Sequence, residues 1–244
     1  MTALVRTELL KLRVTRTTWV LAVVALALSG LRVAMVLRSA GTAAGIDPGT
    51  DDAALTLAGA AATGTVTVLF LGVMAVTWEL RHQTLTGTLL GTPDRRRVVA
   101  AKAIALATVG AVTGLVLGIA GVVVAAAGGY AGGVDAWSWA VLVLGVSLAG
   151  AFWGWFGVAV GLLVRHQTAA LAVPLAWLLV VEPLVGSFGL RGLVPWLPGT
   201  LPGAVAGSSA PGTPPAWAAV AVLVGYGLLL TVPGARRLSL RDVT

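Results

Sequence analysis

The amino-acid sequence predicts an all-α, polytopic membrane protein: a single transmembrane domain over residues 1–244 with six spanning helices. Three observations carry that reading. The chain is 58% hydrophobic and only 10% charged, with a mean hydropathy of +0.97, too few charges to clothe a soluble domain. Six apolar runs recur, each near the ~20 residues a helix needs to cross the hydrocarbon. The basic residues, which give a net charge of +7, flank those runs instead of forming a stripe. They therefore orient the chain in a lipid bilayer, and nucleic acid is not expected as a partner.

Composition also excludes chemistry. With no cysteine, disulfides, thiolate metal sites and cysteine nucleophiles are ruled out. Lysine stands only at Lys11 and Lys102, while Ala, Gly and Val abound. That usage suggests a high-GC bacterial genome.

Residues 1–17 set Arg6, Lys11 and Arg13 against Leu4, Val5, Leu9 and Leu12, an amphipathic basic helix that lies in the interface. No small-residue cleavage site follows, which argues against a secretory signal. The spans are expected at about 18–37, 57–78, 103–127, 138–163, 168–186 and 216–234. Pairing them puts both termini on one side. Thirteen Lys and Arg fall on that side, against Arg32, Arg38 and Arg191 on the other, so both termini are expected in the cytoplasm.

Small residues mark the packing faces. Gly110, Gly114 and Gly118 recur at four-residue spacing in the third span, and Gly150, Gly154, Gly157 and Gly161 line one face of the fourth. Such ridges let backbones approach closely in lipid. Trp137 and Trp139 read as interface anchors. In the fifth span Pro174 and Pro183 each remove a backbone donor, so kinks or breaks are expected there. Glu182, beside Pro183, is the one acid well inside an apolar run. It must face protein or a wet cavity, either lining a transport path or binding backbone N–H groups of the following segment. Residues 187–215 are rich in Pro and Gly yet carry Leu193, Val194, Trp196 and Leu197, which suits re-entrant or interfacial segments on the outer face.

The informative polar stretch is the cytoplasmic loop 79–102. It carries Glu79, Arg81, Thr84, Leu85, Leu89, Leu90, Pro93, Arg95–Arg97 and Lys102, with charge at both ends and an uncharged middle. That pattern suits a short surface helix stopped near Pro93, although an ordinary basic loop obeying the positive-inside rule would share it. Arg81-His82-Gln83-Thr84 recurs as Arg165-His166-Gln167-Thr168 after the fourth span. Both histidines sit at helix ends beside an arginine, and read as interfacial polar residues.

These residues resemble a known family. Glu79, Arg81, Thr84, Leu89, Pro93, the arginine cluster and Lys102 are similar to the loop between the second and third helices of type-2 ABC transporter permeases. Glu8-Leu9-Leu10-Lys11-Leu12-Arg13, followed by Thr15-Arg16, resembles the N-terminal signature of actinobacterial members. The family also has a re-entrant feature before its last helix. The resemblance implies that 79–102 is a coupling loop that docks on a separate ATPase subunit through Glu79, Arg81, Thr84, Leu85, Leu89, Leu90, Pro93 and Arg95. It implies a multi-pass protein of the bacterial cell membrane, working with a second permease copy or a paralogue, for export of a cargo the sequence does not name. No G-x-x-x-x-G-K-[ST] stretch occurs in the chain. ATP and Mg²⁺ are accordingly expected on the partner, with no cofactor, no metal and no enzyme activity on this chain.

Two other classes compete. An ion- or proton-coupled secondary carrier would use ionisable residues near the midplane, where only Glu182 comes close. An intramembrane serine protease would need a histidine at the depth of a buried serine, and both histidines lie at helix ends.

Overall fold

The computed structural model describes residues 1–42, 50–82, 94–130, 133–164, 166–207 and 212–240. Among them the secondary structure is helical, with no strand. Ten α-helices are α1 (Thr2–Val14), α2 (Arg16–Ser39), α3 (Asp51–Ala60), α4 (Thr67–Arg81), α5 (Arg95–Ala127), α6 (Ala136–Val164), α7 (Gln167–Ala176), α8 (Glu182–Ser187), α9 (Leu201–Val205) and α10 (Ala216–Leu240). Six helical stretches are long and apolar enough to cross a membrane: α2, α3 with α4, α5, α6, α7 with α8, and α10. These are the marks of a multi-pass membrane protein.

Two spans, the third and the second, begin well before the sequence expectation. The third span, expected from 103, begins at Arg95. Asp94 caps it by accepting from the N–H groups of Arg96 and Arg97 at 3.0 and 3.3 Å, and Arg97 Nε pairs with the same carboxylate at 3.0 Å. The loop expected over 79–102 therefore shrinks from both sides, because α4 also continues to Arg81. Capping outweighed charge here: an Asp–Arg pair at helix spacing supports a first turn that hydropathy alone would leave as loop. At 33 residues and ~1.5 Å per residue, α5 outreaches the ~30 Å hydrocarbon, so its basic first turns stand beyond it.

The second span, expected at 57–78, runs from Asp51 and is interrupted by a 3₁₀ segment, Ala61–Val66. The tighter winding coincides with a close approach of α2. Ser29 Oγ donates to Ala61 O at 2.6 Å and accepts from Gly64 N–H at 3.2 Å. A β-carbon at Gly64 would collide with Ala25 O.

The fifth span contains a π-turn, Trp177–Val181, between Pro174 and Pro183. Glu182 N–H closes it onto Trp177 O, five residues back. Pro183 has no N–H to offer Leu179, so the ladder resumes with a wider ring.

The core is built on α6. It packs against α4, α5, α10 and α9, and more of its span is buried than that of α2, α5, α7 with α8, or α10. The glycines explain how. A β-carbon at Gly110 would meet Gly150 O, and one at Gly150 would meet Gly110 O. Gly114 faces Val146 O, Gly154 faces Leu106 O, and Gly157 faces Leu69 O. Gly118 and Gly161 are looser, with the nearest atoms at 3.3 and 3.0 Å. Ser147 Oγ adds a bond across the α5–α6 seam, donating to Ala111 O at 2.9 Å. In lipid, such backbone proximity supplies the dispersion contacts that hydrophobic burial cannot.

At the start of α6, Asp135 accepts from Trp137 N–H, Ser138 N–H and Ser138 Oγ. The Ser138 hydroxyl in particular holds its carboxyl below the usual aspartate range. Trp137 itself is exposed.

Candidate functional site

The strongest concentration of charge lies where α1, α4 and α5 meet. Glu8 and Lys11 are one helical turn apart on α1, so both project to one face, alongside the buried Leu12. Glu79 stands in the last turn of α4 and Lys102 in the second turn of α5. Lys102 Nζ lies 2.6 Å from Glu8 Oε2, 3.0 Å from Glu79 Oε1 and 3.4 Å from Ala75 O. Lys11 Nζ lies 2.8 Å from Glu8 Oε1 and 3.0 Å from Glu79 Oε1. Two carboxylates and two ammoniums thus close a neutral four-membered knot joining three helices.

The inner half of the knot is buried: Lys102 is 3% exposed and Glu8 5%. Leu12 beside them joins Val76, Val99, Leu71, Val158 and Leu162 in one apolar cluster, whereas the Lys11 side chain stays 42% exposed. Burial alone would raise the Glu8 carboxyl, but Lys102 and Lys11 outweigh it and hold the group below its ordinary value of 4.5. Burial would likewise lower Lys11; its bonds to Glu8 and Glu79 reverse that and raise it above 10.5. Glu79 Oε2 is buried without a hydrogen-bond partner among the described residues. It borders a cavity of about 10 Å³ lined with Lys102, Leu80 and Val98, room for about one water.

Around the knot the chain is pinned further. Thr15 Oγ1 donates to Lys11 O at 2.7 Å, and Trp19 Nε1 to Arg13 O at 3.1 Å, fixing the bend from α1 into α2. Arg81 Nη1 donates to Gln167 Oε1 at 3.3 Å, which ties the end of α4 to the start of α7. That bond joins the two Arg-His-Gln-Thr copies. His82 packs against Trp78 in a tilted arrangement, with ring centroids 5.0 Å apart. With each carboxylate engaged by ammonium groups, the arrangement is suited to holding helix ends in register, not to proton transfer or metal capture.

Of the residues expected to dock a partner, Glu79 and Arg81 end α4 and Arg95 begins α5. Thr84, Leu85, Leu89, Leu90 and Pro93 lie outside the described residues. Glu8 and Lys11 were not anticipated as partners of Glu79 and Lys102. The available signal was weak: two acids and the chain's two lysines, all in segments expected on one side of the membrane.

Glu182 lies at the opposite end, 7% exposed. Its Oε1 accepts from Trp177 Nε1 and from the backbone N–H of Gly199, both at 2.8 Å. The carboxylate thus bridges the π-turn to the segment before α9, whose Leu201 is fully buried. Tyr226 OH on α10 donates to Trp196 O at 3.2 Å and holds the same segment from the other side.

No known protein-family model matches the chain, and no curated protein sequence is significantly similar to it.

Proposed function

We propose that this chain is the membrane-spanning permease subunit of an ABC transporter, energised by a separate ATPase. The observation that carries the reading is the Glu8–Lys11–Glu79–Lys102 knot. It clamps α4 and α5, the two helices that flank segment 83–93 in the chain, and ties both to α1. A partner pushing on 83–93 would act on a rigid mount, so the displacement would pass into α4 and α5 instead of being lost in a loose loop. Loose mounting would serve a basic loop equally well if its only task were to mark the cytoplasmic side. In this reading 79–102 is the coupling element, both termini are cytoplasmic, 187–215 is an outer re-entrant or interfacial segment, and two copies or a paralogue pair form the path in a bacterial cell membrane.

The test is the double substitution Leu89→Asp with Leu90→Asp, read by co-purification with the proposed partner ATPase and by transport-coupled ATP hydrolysis. Both activities should be lost while the chain still inserts and folds. A double variant that binds the ATPase and transports normally would overturn the coupling assignment. Glu182 bears on a carrier mechanism, and its geometry is unfavourable to one: the Oε1 atom already serves two donors from its own protein.

A further inference from the structure

A groove of about 730 Å³ runs along the bundle between α5, α6 and α10. It exists because α5 turns its small residues to this side: Ala100, Ala103 and Ala107 form one wall, and Ala151 of α6 the floor. The other wall is α10, which seats Gly227 against the Trp155 ring; a β-carbon there would strike the indole. Val224, Leu228 and Val232 of α10 are 44%, 50% and 45% exposed, so the groove opens along its length to the surroundings.

Its chemistry is divided. Midway, Trp155 Nε1 donates to Thr231 Oγ1 at 3.1 Å, and Thr231 donates to Gly227 O at 2.7 Å. The polar atoms of the wall are therefore spent on one another, and the middle presents hydrocarbon. At one end stand Arg96 of α5 and Arg236 of α10. Asp94, two residues before Arg96, is ion-paired with Arg97. From Val220 to Arg236 the groove follows α10 over 17 residues, whose 16 rises span on the order of 24 Å. One leaflet of a ~30 Å hydrocarbon layer is about 15 Å deep, so an acyl chain whose headgroup sits at the arginines fits within it.

We infer that this groove binds an anionic phospholipid of the bilayer, with its phosphate at Arg96 and Arg236 and one acyl chain along the alanine wall. Surrounding hydrocarbon fills an apolar channel of this size, since an unfilled one forfeits dispersion contacts. The two arginines make the choice of lipid selective, because guanidinium groups bind phosphate through charge-assisted hydrogen bonds. The site requires only that the chain be embedded in a membrane, and is independent of any ATPase partner.

The full chain, purified in a mild detergent, is titrated with phosphatidylglycerol or phosphatidylcholine at equal concentration, and retained lipid is counted by native mass spectrometry. One phosphatidylglycerol should be retained in preference to phosphatidylcholine. Arg96→Gln with Arg236→Gln should weaken that retention roughly thirtyfold, the combined effect of two arginines near a lipid surface, without changing the oligomeric state. Ala107→Trp, which fills the groove and leaves both charges, should displace the lipid as well. Equal retention of the two lipids, or undiminished retention in the arginine pair, would overturn the proposal. So would an Ala107→Trp protein that keeps its lipid, or one that instead falls from a dimer to a monomer, which would make a second copy the occupant.

Discussion

Replacing Lys102 by Met keeps the aliphatic stem in the apolar cluster and deletes the ammonium at the centre of the knot. The substitution removes the 2.6 Å bond to Glu8 and the 3.0 Å bond to Glu79, and leaves two buried carboxylates sharing only Lys11. That lysine is 42% exposed at its side chain and already bonded to both acids, so it has no further reach to offer. Removing one partner of a buried ion pair costs about 3–5 kcal/mol, because the remaining charge stays desolvated. For a chain of this length that corresponds to a melting temperature lower by roughly 10 °C. The assay is a thermal melt of the detergent-purified protein, followed by size-exclusion recovery, with limited proteolysis of α1 as a local readout. Glu8→Gln added to Lys102→Met should recover at least ~1 kcal/mol, since residues in one ionic network are not additive. A Lys102→Met protein that melts with the wild type, or a double variant whose loss is the plain sum, would refute the knot.

Further outcomes follow from the same geometry. Glu8 has a carboxyl depressed below 4.5 by its lysines despite burial, so its contribution is complete above 4.5 and disappears as pH falls through the lower folded value; the melting difference between wild type and Glu8→Gln should therefore vanish in acid. Lys11, raised above 10.5, contributes fully below that value, and its stabilisation should be lost only as pH climbs through the higher folded pKa. Gly150→Val should be among the most damaging single changes, because its side chain would enter the Gly110 backbone; overpacking costs about 1–3 kcal/mol or more, seen as lost monodisperse protein. Glu182→Gln can still accept from Trp177 and Gly199 at one oxygen and should be near neutral, whereas Glu182→Leu strands both donors at about 1–3 kcal/mol each; a changed cargo range in the Gln variant would give Glu182 a pathway role. Single cysteines placed at Thr88 and Asp51 in this cysteine-free chain should respectively resist and accept an impermeant thiol reagent in intact cells; labelling of Thr88 would reverse the orientation.

Hydropathy by itself determined the all-helical architecture and its six spans, because in lipid each spanning segment must satisfy its own backbone, and length with apolarity then decides it. The α2 and α6 stretches needed nothing more. Local chemistry refined what hydropathy blurred: Asp94 with Arg97 starts α5 at Arg95, and Pro183 forces the π-turn. These too are short-range effects, recognisable once capping and missing donors are weighed beside apolarity. The partners were another matter. Glu8 and Lys102 are 94 positions apart, and Glu182 reaches Gly199 across 17. Nothing in periodicity relates such positions, since a helix pattern tells which face is apolar and not which helix that face meets. Only the three-dimensional packing decided that the chain's two lysines meet two particular acids, and that the alanines of α5 face an open groove instead of a neighbour. The reason is physical: in a bundle assembled by close backbone approach, the glycine contacts of α5 with α6 set the rotation of each helix, and that rotation determines which polar side chains are left facing one another.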